Sequence, residues 1–224
     1  MFGKVHGNFG EPVFLDHLLK ENHAPEHVGL QDELPDTVKQ VVNAVAEDIL
    51  ENINKAVVID PISLISLVLL NAPTHALAER DVLQRLEQFR GYLKQHCYDT
   101  RMKITELSNH EIIQYAIQLK QIEFVEHDNE RWIKVCEKQD ALLKYFSNNI
   151  LHTFILPALI ANILKAQLAN DNSDLAIDAL KESALQVYPE IKKQFFLKWT
   201  EEQLLLEIGQ VLAYCVAQRR AQIP

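Results

Sequence analysis

The sequence predicts a mostly α protein. Three observations carry that expectation. Apolar residues recur at helical spacing in most of the 224 residues. Two Ser/Thr-x-x-Glu/Gln boxes mark helix starts, at Ser108 to Glu111 and Thr200 to Gln203. Only one stretch in the interior, residues 122 to 135, switches to the alternation of a strand pair.

The first twelve residues, ending Gly7-Asn8-Phe9-Gly10-Glu11-Pro12, read as a strand and its exit turn. Valine and phenylalanine sit among glycines, and Pro12 stops a ladder. A lone strand leaves its N–H and C=O groups unpaired, so this one is expected to be an orphan edge. Val13 to Lys20 suits a short helix, and 21 to 35 a loop punctuated by Pro25, Gly29 and Pro35. Asp36 is placed to cap a long helix with Val38, Val41, Val42, Val45, Ile49 and Ile53 on one face.

Asp60-Pro61 opens the next helix, with Asp as cap and Pro in the first turn. Its body, ISLISLVLLNA, is apolar nearly all round, and too short to span a bilayer. It is expected to be a buried core helix ending at Asn71-Ala72-Pro73. A third helix, Leu77 to Gln95, repeats Val82, Leu83, Leu86, Phe89, Tyr92 and Leu93. Thr100 to Leu107 is extended or irregular. The Ser108 box then opens a helix with Ile112, Ile113, Ala116 and Leu119 inward. Residues 122–126 and 131–135 flank His127-Asp128-Asn129-Glu130 as a β-hairpin. Helices followed by a hairpin, from Pro61 to Val135, is the order of a winged-helix-like unit.

Asp140 begins a long apolar stretch that Pro157 should kink or split. Asn170 to Ser173 reads as a linker and Leu175 to Val187 as a helix. Pro189 is expected to start another, and Thr200 the last, with Leu204, Leu205, Ile208 and Leu212 inward. The expected divisions are 1–35, 36–137 and 138–224.

Composition narrows the function classes. The chain is 48% hydrophobic and has a net charge of −9. That supplies a core and argues against a nucleic-acid footprint. The helix that would enter a groove, His110 to Leu119, contains no Arg or Lys. Cys97, Cys136 and Cys215 lie far apart and form no C-x-x-C pair, which suits free thiols in a reducing compartment.

Candidate chemistry is sparse. His27 and Asp32 match H-x4-D, in which a histidine takes a hydroxyl proton and an aspartate orients it. The pair sits in a Pro/Gly-rich loop with no phosphate-binding F-P-E-G segment downstream, so it reads as a chance match. His23 and His27 are four apart, but Pro25 between them argues for a loop, not a metal face. Asn148, Asn149 and His152 interrupt an apolar helix. They either line a pocket or staple helices together, and stapling is favoured because no nucleophile or carboxylate accompanies them. Ile150 to Leu168 is about one membrane span long, yet its load of His152, Thr153, Pro157, Asn162 and Lys165 suits a core helix better. No catalytic residue, cofactor site or metal site is expected within the chain.

Several segments together resemble the bacterial membrane-bound glycerol-3-phosphate 1-O-acyltransferases. Phe9-Gly10-Glu11-Pro12 resembles the F-G-E-P strand after that family's catalytic motifs. Asn54 and Pro61 to Leu70 resemble its apolar helix. Tyr145-Phe146-Ser147-Asn148-Asn149-Ile150-Leu151-His152 with Leu156-Pro157 resembles its Y-Y-x-N-N-x-x-H…L-P stretch. Tyr188-Pro189 and Phe196-Leu197-Lys198-Trp199 resemble its Y-P…F-L-x-W pattern. The resemblance implies an enzyme that moves a fatty acyl group from acyl-carrier protein or coenzyme A to glycerol 3-phosphate. It implies work at the cytoplasmic face of the bacterial inner membrane, with possible membrane-surface contact. The family's H-x4-D, arginine and F-P-E-G motifs precede its F-G-E-P strand. The chain is therefore expected to be an interior fragment, inactive alone. Its first residues would be the tail of a truncated α/β acyltransferase domain, its first partner the upstream catalytic domain, and nucleic acid no partner. The competing expectations are a stand-alone helical interaction or scaffold domain and, ranked below it, a winged-helix nucleic-acid binder.

Overall fold

The computed structural model describes residues 7–22, 35–127, 129–169 and 177–221. His23, His27 and Asp32, the 170–173 linker and the first six residues of the expected strand lie outside them. So does Asp128 in the hairpin turn.

Helix α3, Pro61–Leu70, is the centre of the molecule, and nine of its ten residues are buried. Each buried Leu or Ile there stabilises the fold by roughly 1.5–3 kcal/mol. Asp60 caps it as expected, its Oδ1 accepting from the N–H of Ile62 at 2.8 Å and of Ser63 at 3.1 Å. α4, Glu79–Gln95, and α5, Asn109–Gln118, pack on α3, as does α6, Asp140–Leu151. Ser108 and Glu111 form the predicted box at the start of α5.

The hairpin is β4, Ile122–His127, and β5, Glu130–Val135, paired antiparallel. Asn129 takes the left-handed φ of 60° that the tight turn requires. A third strand, β2, Ala76–Ala78, adds to β5, giving the order β2-β5-β4. Residues 77 and 78 were expected to be helical, but their backbone is paired with β5, and α4 starts at Glu79. A two-residue parallel pair joins β1, Val58–Ile59, to β3, Lys103–Ile104.

The expected N-terminal strand is described only from Gly7 onward. Residues 7–14 form no ladder. They are held by side chains instead: Asn8 Nδ2 donates to the carbonyls of Ala56 and Arg101, each at 2.8 Å. The short helix α1 follows at Leu15–Glu21. In α2, Asp36–Lys55, Pro35 and not Asp36 holds the cap position, with no side-chain cap bond. Asp36 lies in the first turn, ion-paired to Lys39 at 3.1 Å. Val41 is the one residue of α2 classed as buried. Val42, Ile49 and Ile53, on the helix's apolar face, are exposed.

The long apolar stretch divides as Pro157 requires. α6 ends at Leu151, a 3-10 turn runs His152–Phe154, and α7 spans Ile155–Ala169. Pro157 has no N–H for the Thr153 carbonyl and its ring crowds it, which accounts for the change of winding in the preceding turn. The second proline behaves differently. α8 runs unbroken from Ile177 to Phe195 with Pro189 inside, where a new helix was expected. The apolar series Leu180, Ala184, Tyr188, Ile191, Phe195 keeps helical spacing through the proline, so packing outweighs one lost hydrogen bond. α9, Glu201–Ala221, begins at the predicted Thr200–Gln203 box. One hydrophobic core runs from Val57 to Val211.

Candidate functional site

The end of α2, the 3-10 turn, and the α8–α9 connection meet at a buried polar junction. Asn54 stands in the last turn of α2. Its Nδ2 donates to the carbonyls of Phe195 at 2.8 Å and Phe196 at 3.1 Å, satisfying groups left open at the end of α8. Its own carbonyl lies 3.1 Å from His152 Nε2. That partner requires the Nε2–H form of the imidazole. Burial lowers the His152 pKa to about 4, outweighing the favourable hydrogen bond, so the ring is neutral near pH 7.

Aromatic rings enclose the junction. Tyr98 meets His152 edge to face with centroids 4.9 Å apart, and meets Trp199 at 5.1 Å. Tyr98 Oη accepts from the Lys198 N–H at 3.1 Å, and Lys198 Nζ lies 5.0 Å from the Tyr98 ring centroid. Tyr188 Oη donates to the Trp199 carbonyl at 2.6 Å, and Lys192 Nζ donates to the same oxygen at 2.9 Å. Burial raises both tyrosine pKa values, so the two phenols stay protonated. Every polar group named here is engaged in joining one element to another. None is paired as a nucleophile with its base.

An open cleft of about 910 Å³ lies beside the junction, between α2, residues 8–13 and the hairpin side of α6. Asn52, Asn148, Asn149, Tyr145 and Gln121 line it among apolar side chains. Its rim is fixed by Asn8 and by Glu11, whose carboxylate is 3.6 Å from Arg101 Nη1. Arg101 is itself held by Asp99 at 2.8 Å, and that hydrogen bond keeps the Asp99 carboxyl below its usual pKa. Gly10 passes close to α2: a Cβ there would stand 3.3 Å from Asn52 Cβ.

The predicted trio therefore separates. His152 is a staple between elements, while Asn148 and Asn149 are exposed and line the cleft. His152 is buried against the Asn54 carbonyl, whereas Asn149 is exposed. Tyr98 carried no sequence signal, because it stands in an irregular loop with no periodicity to reveal it. No cluster of three or more His, Cys, Asp or Glu able to hold a metal occurs among the described residues. Asp140–Gln167 has the length and apolar character of a crossing segment, and 33% of its most apolar window is buried within the protein.

The junction is built from residues that the sequence scatters over more than 140 positions: Asn54, His152, Tyr188 and Trp199. These are also residues that carry the family resemblance. The family model described as the glycerol-3-phosphate acyltransferase C-terminal region matches residues 1–223. The chain belongs to this family. It is 33% identical over 220 residues to a glycerol-3-phosphate acyltransferase of Xylella fastidiosa, covering 97% of this chain and 25% of that protein. It is 30% identical over 223 residues to those of Pseudomonas paraeruginosa and Pseudomonas aeruginosa, covering 97% of this chain and 26% of each. This acyltransferase C-terminal region thus spans about a quarter of the length of the curated relatives it matches.

Proposed function

We propose that the chain acts as the supporting C-terminal region of a glycerol-3-phosphate acyltransferase and is inactive by itself. The parent reaction moves an acyl group from acyl-carrier protein or coenzyme A to the 1-hydroxyl of glycerol 3-phosphate, forming lysophosphatidate. The observation that carries this reading is the family match along residues 1–223, joined to a polar junction whose groups all serve packing. The work of this region is to hold the upstream catalytic domain in place. Residues 61–135 form its winged-helix-like unit, in line with the element order and with the strand order β2-β5-β4. The segments 1–35, 36–137 and 138–224 are read as the tail of the preceding domain, a winged-helix-like unit and a further helical unit, the last two joined by the core that runs from Val57 to Val211. The assembly works peripherally at the cytoplasmic face of the bacterial inner membrane.

The test supplies the two parts as separate polypeptides. The portion of the Pseudomonas aeruginosa relative that lies outside the matched region is expressed with and without this chain, and acyl transfer to glycerol 3-phosphate is measured. Neither part alone should transfer acyl groups, and the two together should. Absent activity despite confirmed association of the parts overturns the reading.

A further inference from the structure

Three features converge on one face of the molecule and none of them serves its core. The first is α2. It presents Val42, Ile49 and Ile53 to solvent over three turns, on the side of the helix that its sequence pattern marks as apolar. A helix with such a stripe ordinarily buries it. The second is the segment 7–14, which runs beside α2 without a ladder and leaves Phe9 91% exposed. The third is the opposite wall of the cleft. Tyr145 stands there 63% exposed, and Gln121, only 6% exposed, has its Oε1 buried without a hydrogen-bond partner among the described residues. A buried acceptor left unpaired is costly and marks this wall as incompletely packed.

We propose that the α2 strip, the segment 7–14 and this cleft together form the seat for the part of the acyltransferase that precedes this region in its relatives. The proposal rests on the supporting role given above and names the surface that performs it. The occupant follows from two facts. The matched region is described as a C-terminal one, so part of the polypeptide precedes it, and it accounts for 25% of the Xylella fastidiosa relative, so most of that protein lies outside it. That polypeptide enters this region through the residues corresponding to the segment 7–14, which already lines the cleft through Asn8, Gly10, Glu11 and Val13. The preceding domain is thereby delivered at the edge of an unpaired apolar surface. Its own contact surface should be apolar, with polar groups for the exposed amides of Asn148 and Asn149. The chemistry of the cleft disfavours a lipid surface as the occupant. Asn52, Asn148, Asn149 and Glu11 line it, and no lysine or arginine does, whereas anionic headgroups call for cations.

The experiment measures association of this chain with the separately expressed upstream portion of the Pseudomonas aeruginosa relative. The double variant Ile49→Asp/Ile53→Asp and the single variant Tyr145→Ser alter opposite walls at exposed positions. Circular dichroism and thermal melting check that each variant is folded. Leu206→Asp, exposed on α9, is the control. The double variant should bind at least about tenfold more weakly, Tyr145→Ser measurably more weakly, and the control as wild type. Amide exchange should slow at residues 45–57 and 145–149 on mixing. Association unchanged in both variants, with protection elsewhere, overturns the seat while leaving the supporting role intact. No association at all, with acyl transfer still unrestored, removes the supporting role and the seat with it. A self-dimer, or binding to phosphatidylglycerol vesicles, that Ile49→Asp/Ile53→Asp abolishes assigns the face to another occupant and also overturns the proposal.

Discussion

His152 shows how one side chain can serve packing and still set a pH response. Its neutral ring donates to Asn54 and is closed in by Tyr98. The folded pKa of about 4 lies below the ordinary value of 6.5. Between those two values the unfolded chain binds the proton and the folded chain does not. Stability is therefore full above pH 6.5 and declines as pH falls toward 4, with a slope of up to about 1.4 kcal/mol per pH unit from this residue. His152→Gln should flatten that decline in urea titrations taken at several pH values, whatever it costs at pH 7. An equal slope in variant and wild type would place the proton elsewhere. Tyr188 offers a second test at this scale. Tyr188→Phe removes the hydroxyl that donates to the Trp199 carbonyl at 2.6 Å, while Lys192 still reaches that oxygen. The expected loss is about 0.5–1.5 kcal/mol by denaturant melting. The sequence suggested a stapling role for His152, because no carboxylate or nucleophile accompanied it. It offered nothing for Tyr98, whose place depends on a loop.

Among the elements, those defined by local chemistry were legible and those defined by partners were not. Asp60-Pro61, Ser108–Glu111 and Thr200–Gln203 each satisfy backbone groups within a few residues, so their helices start where the sequence marks them. Asp60→Ala removes two cap bonds and should cost about 0.5–2 kcal/mol, read from the shift in denaturant midpoint. The hairpin was equally readable, because alternation and turn residues lie side by side. β1, β2 and β3 have two or three residues each; β1 and β2 were not foreseen, and β3 falls in the 100–107 segment expected to be extended or irregular. They exist because β5 or a distant loop supplies hydrogen bonds, and no local pattern records that. The two prolines make the same point. Pro157 changes the winding that precedes it, whereas Pro189 stays inside α8 because the apolar face continues beyond it. The expected N-terminal strand is described only from Gly7 onward, where no strand lies beside it. Valine, phenylalanine and glycine permit extended backbone, but a strand also needs a neighbour, and residues 7–14 are held by the Asn8 amide instead.

For the whole molecule, a single core runs through α3, α6, the hairpin and the two last helices, so the described body should unfold as one unit. The two tryptophans report from different places, Trp132 in the hairpin and Trp199 in the polar junction. Trp132→Phe and Trp199→Phe variants should give fluorescence transitions with coincident midpoints, once corrected for each variant's own stability. Separated transitions would divide the body. By itself the sequence determined the mostly helical class, most helix starts, the hairpin, the buried character of Pro61 to Leu70, and the family resemblance. All of these rest on interactions between residues a few positions apart or on ordered motifs. Only the tertiary structure decided that Asn54, His152, Tyr98, Tyr188 and Trp199 form one junction. Only it decided that the apolar face of α2 turns away from the core. Both depend on which distant surfaces meet, and helical spacing specifies that a face is apolar without specifying what covers it.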